Sequence, residues 1–324
     1  MDATKREVLL VGPLKPVVVR GLDGPCTLHT LATASDPDIF LAAHSHVRAI
    51  ACSATTERIP GAFMERFPEL QIVSSFGVGY DHMDVKWAAA HSVVLTNTPG
   101  VLTEEVADTA LGLLLCTVRE FPQANRYVRA GRWREGEYPL TRASLRNRTV
   151  GLVGMGAIGR AIARRLDAMK VPVVYHTRQK RDGLPYRHYA KLIDMARDVD
   201  ILLAIVPGGP GTANMINADV LDALGPQGIL INMARGSVVD EPALIKALQD
   251  KRILSAGLDV FAREPEVPPE LQAMENVVLL PHVGSGSVVT RERMDQLMVD
   301  NILAWAAGQP ALTPVPETPW RSWA

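Results

Sequence analysis

The most constraining feature of this 324-residue chain is an apolar run at 149–153 that passes directly into Gly154-Met155-Gly156-Ala157-Ile158-Gly159 and then into a helical pattern. In that pattern Ile158, Ile162, Leu166 and Met169 recur at steps of three and four and form one apolar stripe, with Arg160, Arg164 and Arg165 on the other side. A strand that turns tightly into a helix needs glycine wherever main chain meets main chain. Gly154 serves the turn, Gly156 lets a ligand approach the backbone, and Gly159 lets helix and strand pack closely. The first N–H groups of the helix then face an anion, so the segment predicts a seat for a dinucleotide pyrophosphate.

Short apolar runs alternate with helical patterns over almost the whole chain. Strands are expected at 8–11, 72–75, 93–96, 149–153, 171–175, 201–206, 228–232, 254–259 and 277–280. Several carry Val, Ile and Leu on both faces, as strands covered on both sides must, so the chain reads as α/β with parallel sheets. Its length fits about two domains of ~150 residues. Hydrophobic residues at 47% and charged residues at 21% exclude extensive disorder. Lys and Arg number 34 against 35 Asp and Glu, so no global field attracts nucleic acid or an anionic membrane. No run approaches the ~20 apolar residues of a membrane span and the start lacks a signal-peptide pattern, so a cytoplasmic protein is expected.

Cys26, Cys52 and Cys116 are odd in number and show no C-x-x-C spacing, which fits buried thiols in a reducing compartment. His44 and His46 have no Cys or acidic partner at ligand spacing, and H-E-x-x-H, P-loop and G-x-S-x-G patterns are absent. No metal is expected. A second helix is expected to start with Thr103 as its cap, with Glu104 and Glu105 near the positive end of its dipole. Its body, 106–118, is apolar nearly all round and needs cover on several sides, as in a domain junction or a subunit contact. The tail from 308 onward carries Pro310, Pro314, Pro316 and Pro319 and is expected to be irregular, with Trp320 and Trp323 as candidate anchors.

The end of the second strand after the glycine loop decides which dinucleotide fits. An acidic residue there would hold the ribose 2′-hydroxyl of NAD. Here the stretch is Tyr175-His176-Thr177-Arg178-Gln179-Lys180-Arg181, without a carboxylate. A hydroxyl and a basic cluster, with Thr177, Arg178 and Lys180 as the candidates, suit the 2′-phosphate of NADPH, because arginine offers paired donors to phosphate. NADH remains the alternative.

Arg235, Glu264 and His282 each lie just beyond a predicted strand, at the edge of a parallel sheet where ligands bind. With the blocks Gly77-Val78-Gly79-Tyr80-Asp81-His82-Met83-Asp84, Asn97-Thr98-Pro99-Gly100 and Val106-Ala107-Asp108, and with the glycine loop, these segments make the chain resemble the D-isomer-specific 2-hydroxyacid dehydrogenase family over nearly its whole length. The basic stretch after Tyr175 is similar to that of the NADPH-dependent glyoxylate and hydroxypyruvate reductases of that family.

The resemblance implies two doubly wound, Rossmann-like domains with an active-site cleft between them and hinges near Thr98 and Gly284. Residues 1–98 and 285–324 would form a discontinuous substrate-binding domain, and 99–284 the dinucleotide-binding domain. It implies His282 as general acid towards the carbonyl of a 2-oxo acid, Glu264 as its support, and Arg235 as anchor of the substrate carboxylate. A carboxylate neighbour favours the protonated form of an imidazole, which would load the acid. The N–H groups of Val78 and Gly79 would hold the carboxylate as well, while the loop Ser53-Ala54-Thr55 and Phe76 would shape the pocket. Cofactor contacts would come from Val106, Gly154, Met155, Gly156, Ala157, Ile158, Gly159, Val206, Pro207, Thr212, Met233, Ala234, Asp259 and Gly284. Asp259 would face the nicotinamide carboxamide.

The helix from Thr103 and the arm around Trp133 match the part of the family used for dimer contact, so a homodimer is expected, with Trp133 a candidate to reach the partner's active site. The expected reaction is reduction of glyoxylate, hydroxypyruvate or a related 2-oxo acid to the D-2-hydroxy acid. Two alternatives stand beside it: a bulkier acid such as hydroxyphenylpyruvate, or a dinucleotide-sensing corepressor, for which the chain lacks extended interaction tails.

Overall fold

A computed structural model describes residues 6–53 and 58–323. Ala54 and Thr55 of the expected pocket loop lie outside the described residues. The chain divides into two compact units, Met1–Leu102 with Ser287–Ala324, and Thr103–Gly286.

In the first unit the chain runs β1 (Arg6–Val11), α1 (Pro16–Leu22), β2 (Cys26–Thr30), α2 (Pro37–Ala43), β3 (Ala49–Ser53), α3 (Gly61–Met64), β4 (Ile72–Phe76), α4 (Val85–Ala90) and β5 (Val94–Thr96). The strands form a parallel sheet of order β2-β1-β3-β4-β5 among the described residues. Its centre is fully buried, with Val8, Leu9, Ile50, Ile72 and Val73 all 0% exposed, as a sheet covered on both faces requires. Sequence patterning predicts neither β2 nor β3. β3 is built from Ala49-Ile50-Ala51-Cys52-Ser53, whose small residues give a weak hydrophobic signal even though every one is buried.

The second unit starts with α5 (Thr103–Arg119) and α6 (Phe121–Arg129). It continues through β6 (Val150–Val153), α7 (Ala157–Ala168), β7 (Val173–His176), β8 (Arg187–Tyr189), α8 (Leu192–Asp198), β9 (Ile201–Ala204), α9 (Ala218–Leu224), β10 (Ile229–Asn232), α10 (Glu241–Gln249), β11 (Ser255–Leu258), α11 (Pro269–Ala273) and β12 (Val277–Leu279). The sheet order is β12-β11-β10-β9-β6-β7-β8, all parallel, so the direction of winding reverses between β6 and β9. Both sheets are those of a doubly wound α/β fold, and ligands bind such sheets at the carboxyl edge beside the reversal.

Thr103 is the first residue of α5 rather than a cap outside it. The stripe read on α7 is real: Ile162 and Leu166 are 0% exposed. Arg165 is not simply solvated, since it pairs with Glu104 at 2.8 Å and Asp108 at 2.6 Å and ties α7 to α5. Cys26 and Cys52 are buried, whereas Cys116 is half-buried on α5.

The chain returns to the first unit as α12 (Val288–Ala306), capped by Ser287, whose hydroxyl accepts the Thr290 N–H. The proline-rich tail beyond it is irregular but held. Val315 N–H donates to Leu95 O at 2.8 Å, the Thr318 hydroxyl accepts the Leu95 N–H at 2.9 Å, and Thr313 bridges Asn97 and Asn301. Main-chain and hydroxyl bonds anchor the tail to β5, while Trp320 and Trp323 meet each other edge-on at 5.0 Å. Among the described residues no helix is long and apolar enough to cross a membrane.

Candidate active site

The register of the second sheet sets Val153, Ala204, Asn232, Leu258 and Leu279 in one row, because each pairs directly with the next. The hydrogen-bond ladder runs one residue further. Ile205 N–H donates to Val153 O, Met233 N–H to Ala204 O, Asp259 N–H to Asn232 O, and Leu280 N–H to Leu258 O. The segments after these strands, carrying Gly154, Val206, Met233, Arg235, Asp259 and His282, therefore leave the sheet along a single edge.

At β6 the glycine loop is closed by sterics. A Cβ on Gly154, which sits at φ +111, would lie 2.5 Å from Ile205 O, and one on Gly159 would lie 2.5 Å from Gly154 O. Gly156 is different, for a Cβ there meets nothing within 4 Å, so the space above it is open to a bound group. Open space over the amino end of an α-helix fits a pyrophosphate. Met155 is 1% exposed and offers only main chain, whereas Gly156 and Ala157 are exposed and Ile158 is half-buried.

After β7 the loop turns over the fully buried Tyr175. Its hydroxyl accepts the Arg181 N–H at 2.9 Å and donates to Arg181 O at 3.3 Å, and the Thr177 hydroxyl donates to Gln179 O at 2.6 Å. This pinned turn presents Arg178 and Lys180 to solvent, and no described residue pairs with either. Two unpaired cations beside the glycine loop fit a phosphate on the ribose. Across the edge the Thr212 hydroxyl donates to Pro207 O at 2.7 Å, which fixes the turn carrying Val206 and Pro207.

Arg235 is delivered by a turn that sequence reasoning missed. Asn232, 1% exposed at the end of an otherwise apolar strand, accepts the Ala234 N–H at 3.1 Å and donates to Arg235 O at 3.0 Å. A buried amide ending Ile229-Leu230-Ile231 was the available signal, because buried amides must find partners. The next residue, Gly236, lies directly against the main chain of Phe261 and Ala262, where a Cβ would overlap both. That contact locks the Arg235 turn onto the segment that ends at Glu264. The Arg235 guanidinium donates to Ala234 O at 2.8 Å, and its charge reaches Glu264.

Glu264 and His282 form the centre of the site. Nδ1 of His282 is 2.6 Å from Oε2 of Glu264, and Oε1 accepts the Phe261 N–H at 3.0 Å. Burial raises the Glu264 carboxyl, but the hydrogen bond and charge of His282, the Phe261 N–H and the Arg235 charge outweigh it and hold Glu264 below the usual carboxylate range. An ionised carboxylate only accepts, so Nδ1 carries its hydrogen and Nε2 is the nitrogen left to exchange a proton. Both side chains are 32% exposed, so the pair is open to a substrate.

His282 is held at φ +54, unusual for a side chain of its size. Asp259, 2% exposed, accounts for it: one oxygen accepts the Val283 N–H at 2.7 Å, the other accepts the Gly284 N–H at 2.9 Å, and its main-chain O accepts the His282 N–H at 2.8 Å. Burial pushes the Asp259 carboxyl up against the pull of these donors. Its first job here is to shape the histidine turn, with one acceptor lobe left on each oxygen. Thr109 of α5 donates to Gly284 O at 3.0 Å, and Val106 (8% exposed), Met233 (6%) and Ala234 (3%) line the same region.

In the first unit, Ser53 pairs with Phe76 in the sheet register, and both end their strands at the carboxyl edge. The chain then turns at Gly77, φ +128, whose N–H donates to the Thr98 hydroxyl at 3.1 Å, and Asn97 donates to Val78 O at 2.8 Å. These bonds fix the Gly77-Val78-Gly79 turn. Among the described residues no cluster of His, Cys, Asp and Glu could hold a metal ion.

Residues 111–284 match the model of the D-isomer specific 2-hydroxyacid dehydrogenase NAD binding domain. The chain is 42% identical over 309 residues to a hydroxyphenylpyruvate reductase from Plectranthus scutellarioides, covering 95% of this chain and 98% of that one. It is 41% identical over 309 residues, with the same coverage, to a glyoxylate/hydroxypyruvate reductase A from Arabidopsis thaliana. The crystal structure of an NADPH-dependent glyoxylate/hydroxypyruvate reductase from Sinorhizobium meliloti, in complex with NADP and malonate, superposes with a TM-score of 0.93 at 51% identity and 99% coverage of both chains. The chain belongs to the D-isomer specific 2-hydroxyacid dehydrogenase family.

Proposed function

We propose that this enzyme reduces small 2-oxo acids such as glyoxylate and hydroxypyruvate to the D-2-hydroxy acid with NADPH. The observation that carries the reading is the Glu264–His282 pair at 2.6 Å, held on the same sheet edge as the glycine loop and Arg235. NADPH, when bound, supplies the hydride. His282 donates the proton from Nε2 to the carbonyl oxygen, and Glu264 keeps the imidazole oriented. Arg235 holds the substrate carboxylate by paired N–H donors, helped by the N–H groups of Val78 and Gly79. Ser53 and Phe76 border the side-chain pocket. The glycine loop and the turn carrying Thr177, Arg178 and Lys180 seat the pyrophosphate and the 2′-phosphate, and Val106, Val206, Pro207, Thr212, Met233, Ala234, Asp259 and Gly284 border the nicotinamide.

In this reading residues 1–98 and 285–324 bind substrate and 99–284 bind the dinucleotide, in a cytoplasmic homodimer. The arm supports the dimer. Phe121 is 48% exposed, Val128 54%, Trp133 66% and Leu140 96%, a density of bare apolar side chains that a second copy would cover. Light scattering on the purified protein tests it, with a monomer as the refuting result.

The reaction is tested by following NADPH and NADH oxidation with glyoxylate, hydroxypyruvate, pyruvate and hydroxyphenylpyruvate. Turnover of the first two with NADPH is expected. Preference for hydroxyphenylpyruvate is the second reading, favoured by the 42% identity to the Plectranthus reductase.

A further inference from the structure

In a doubly wound sheet of this kind the choice of dinucleotide is made just past the second strand, here β7. Beside β7 the second sheet ends in β8, whose sequence Arg187-His188-Tyr189 is polar. A polar edge strand this short adds little apolar burial, and its contribution lies in what it bonds. In the register His188 pairs with Tyr175 and Tyr189 with His176. The His188 and Tyr175 rings lie 5.1 Å apart between centroids, and Nε2 of His188 is 2.9 Å from Thr177 O. A carbonyl only accepts, so Nε2 carries the hydrogen and donates it to that bond. His176 makes the reverse connection: its Nδ1 donates to Tyr189 O at 2.9 Å, and its own carbonyl accepts the Gly154 N–H at 3.0 Å. The same strand end is thus tied both to β8 and to the glycine loop.

These bonds close the turn after β7 at both ends. His188 holds Thr177 O at its start, and the Tyr175 hydroxyl holds the N–H and O of Arg181 at its finish. The Thr177 hydroxyl, donating to Gln179 O, braces the middle. Arg178 and Lys180 stand between the two clamps with their side chains exposed. Tyr175 is fully buried and spends its hydroxyl on Arg181, and His188 spends Nε2 on Thr177, so both rings act on a ligand of the turn only through its main chain.

We propose that His188 and Tyr175 are positioning residues for coenzyme choice: together they hold the Arg178–Lys180 turn, before NADPH arrives, in the shape that receives the 2′-phosphate. The proposal rests on the reading of the preceding subsection, in which this turn takes that phosphate. A turn fixed in advance loses less freedom on binding, so each clamp appears as affinity for the ligand that uses the turn. One hydrogen bond that closes it is worth a factor of about three to ten. NADH brings no phosphate to the turn, so its affinity changes little and the clamp is read out as selectivity.

The test is fluorescence titration of NADPH and of NADH, without 2-oxo acid, into wild type, His188→Phe, His188→Gln, Tyr175→Phe, Arg178→Ala and the His188→Phe, Arg178→Ala double variant, with thermal melting as the folding control. His188→Phe keeps a ring beside Tyr175 and removes the donor, whereas His188→Gln restores a donor. The ratio of Kd for NADH to Kd for NADPH is expected to fall by about three- to tenfold in each phenylalanine variant and to be largely retained in His188→Gln. Adding His188→Phe to Arg178→Ala is expected to lower it little further, because a residue that acts through Arg178 then has little left to position. An unchanged ratio in either phenylalanine variant, or an equal loss of both coenzymes, overturns the clamp. Should His188→Phe not fold, Tyr175→Phe decides by the same ratio. Selective loss of NADPH in Arg178→Ala beside unchanged phenylalanine variants refutes the clamp alone, whereas equal weakening of both coenzymes by Arg178→Ala refutes the phosphate reading and the clamp with it.

Discussion

Gly236→Ala perturbs the site without touching a reacting group. The added methyl would overlap the carbonyl carbon and oxygen of Phe261 and the N of Ala262, all under the 3.0 Å that real Cβ atoms respect. These are main-chain atoms and cannot rotate away. The segment from Phe261 to Glu264 must retreat by roughly 1 Å or the Arg235 turn must open, at about 1–3 kcal/mol for an overpacked position. Either movement separates Glu264 from the imidazole it holds at 2.6 Å or displaces Arg235. A misplacement near 1 Å costs on the order of 10²-fold in rate. Steady-state NADPH oxidation with glyoxylate should show kcat/KM down by about that factor, with Tm lowered by several degrees. Gly156→Ala is the matched contrast. Its Cβ meets no protein atom, so Tm should hold while the KM for NADPH rises. Wild-type kcat/KM in Gly236→Ala would refute the claim that this contact positions the catalytic segment.

Other outcomes follow from the same geometry. Asn232→Leu leaves the Ala234 N–H and Arg235 O without the amide that closes their turn, at about 1–3 kcal/mol for each group; KM for the 2-oxo acid should rise, and an unchanged KM would sink the positioning role. Arg178→Ala should raise KM for NADPH by about ten- to a hundredfold and move NADH far less; equal effects on both coenzymes would show that the cluster does not read the 2′-phosphate. Burial, and next the neighbouring His44, lower His29 below its ordinary value of 6.5, against the opposing pull of Glu7 and with a further lowering by His46. As pH falls through that ordinary value the unfolded chain takes up the proton first, so native stability is lost on acidification. Tm measured between neutral and mildly acidic pH should fall less steeply in His29→Gln than in wild type, and equal slopes would contradict the assignment.

Much of this fold is legible in the sequence because buried parallel strands announce themselves. Ile201–Ala204 and Ile229–Asn232 are apolar on both faces and flanked by turn residues. Ala49–Ser53 is as deeply buried but made of small side chains, and the edge strands Cys26–Thr30 and Arg187–Tyr189 are polar, so patterning passes them by. At the site, charged residues just past strand ends stand out, which makes Arg235, Glu264 and His282 readable. The groups that aim them are silent in sequence: Asn232 acts by closing a turn, Tyr175 by clamping the main chain of Arg181, Gly236 by having no side chain, and Asp259 by holding two N–H groups of the histidine turn. Each acts through main-chain geometry that only folding creates.

The account turns on a proton donated by His282 from an imidazole anchored to Glu264. The most direct measurement is turnover of glyoxylate by His282→Ala alongside NADPH binding followed by fluorescence titration. The account predicts loss of at least about 10²-fold in kcat with coenzyme affinity retained. Near-wild-type turnover by this variant would contradict it.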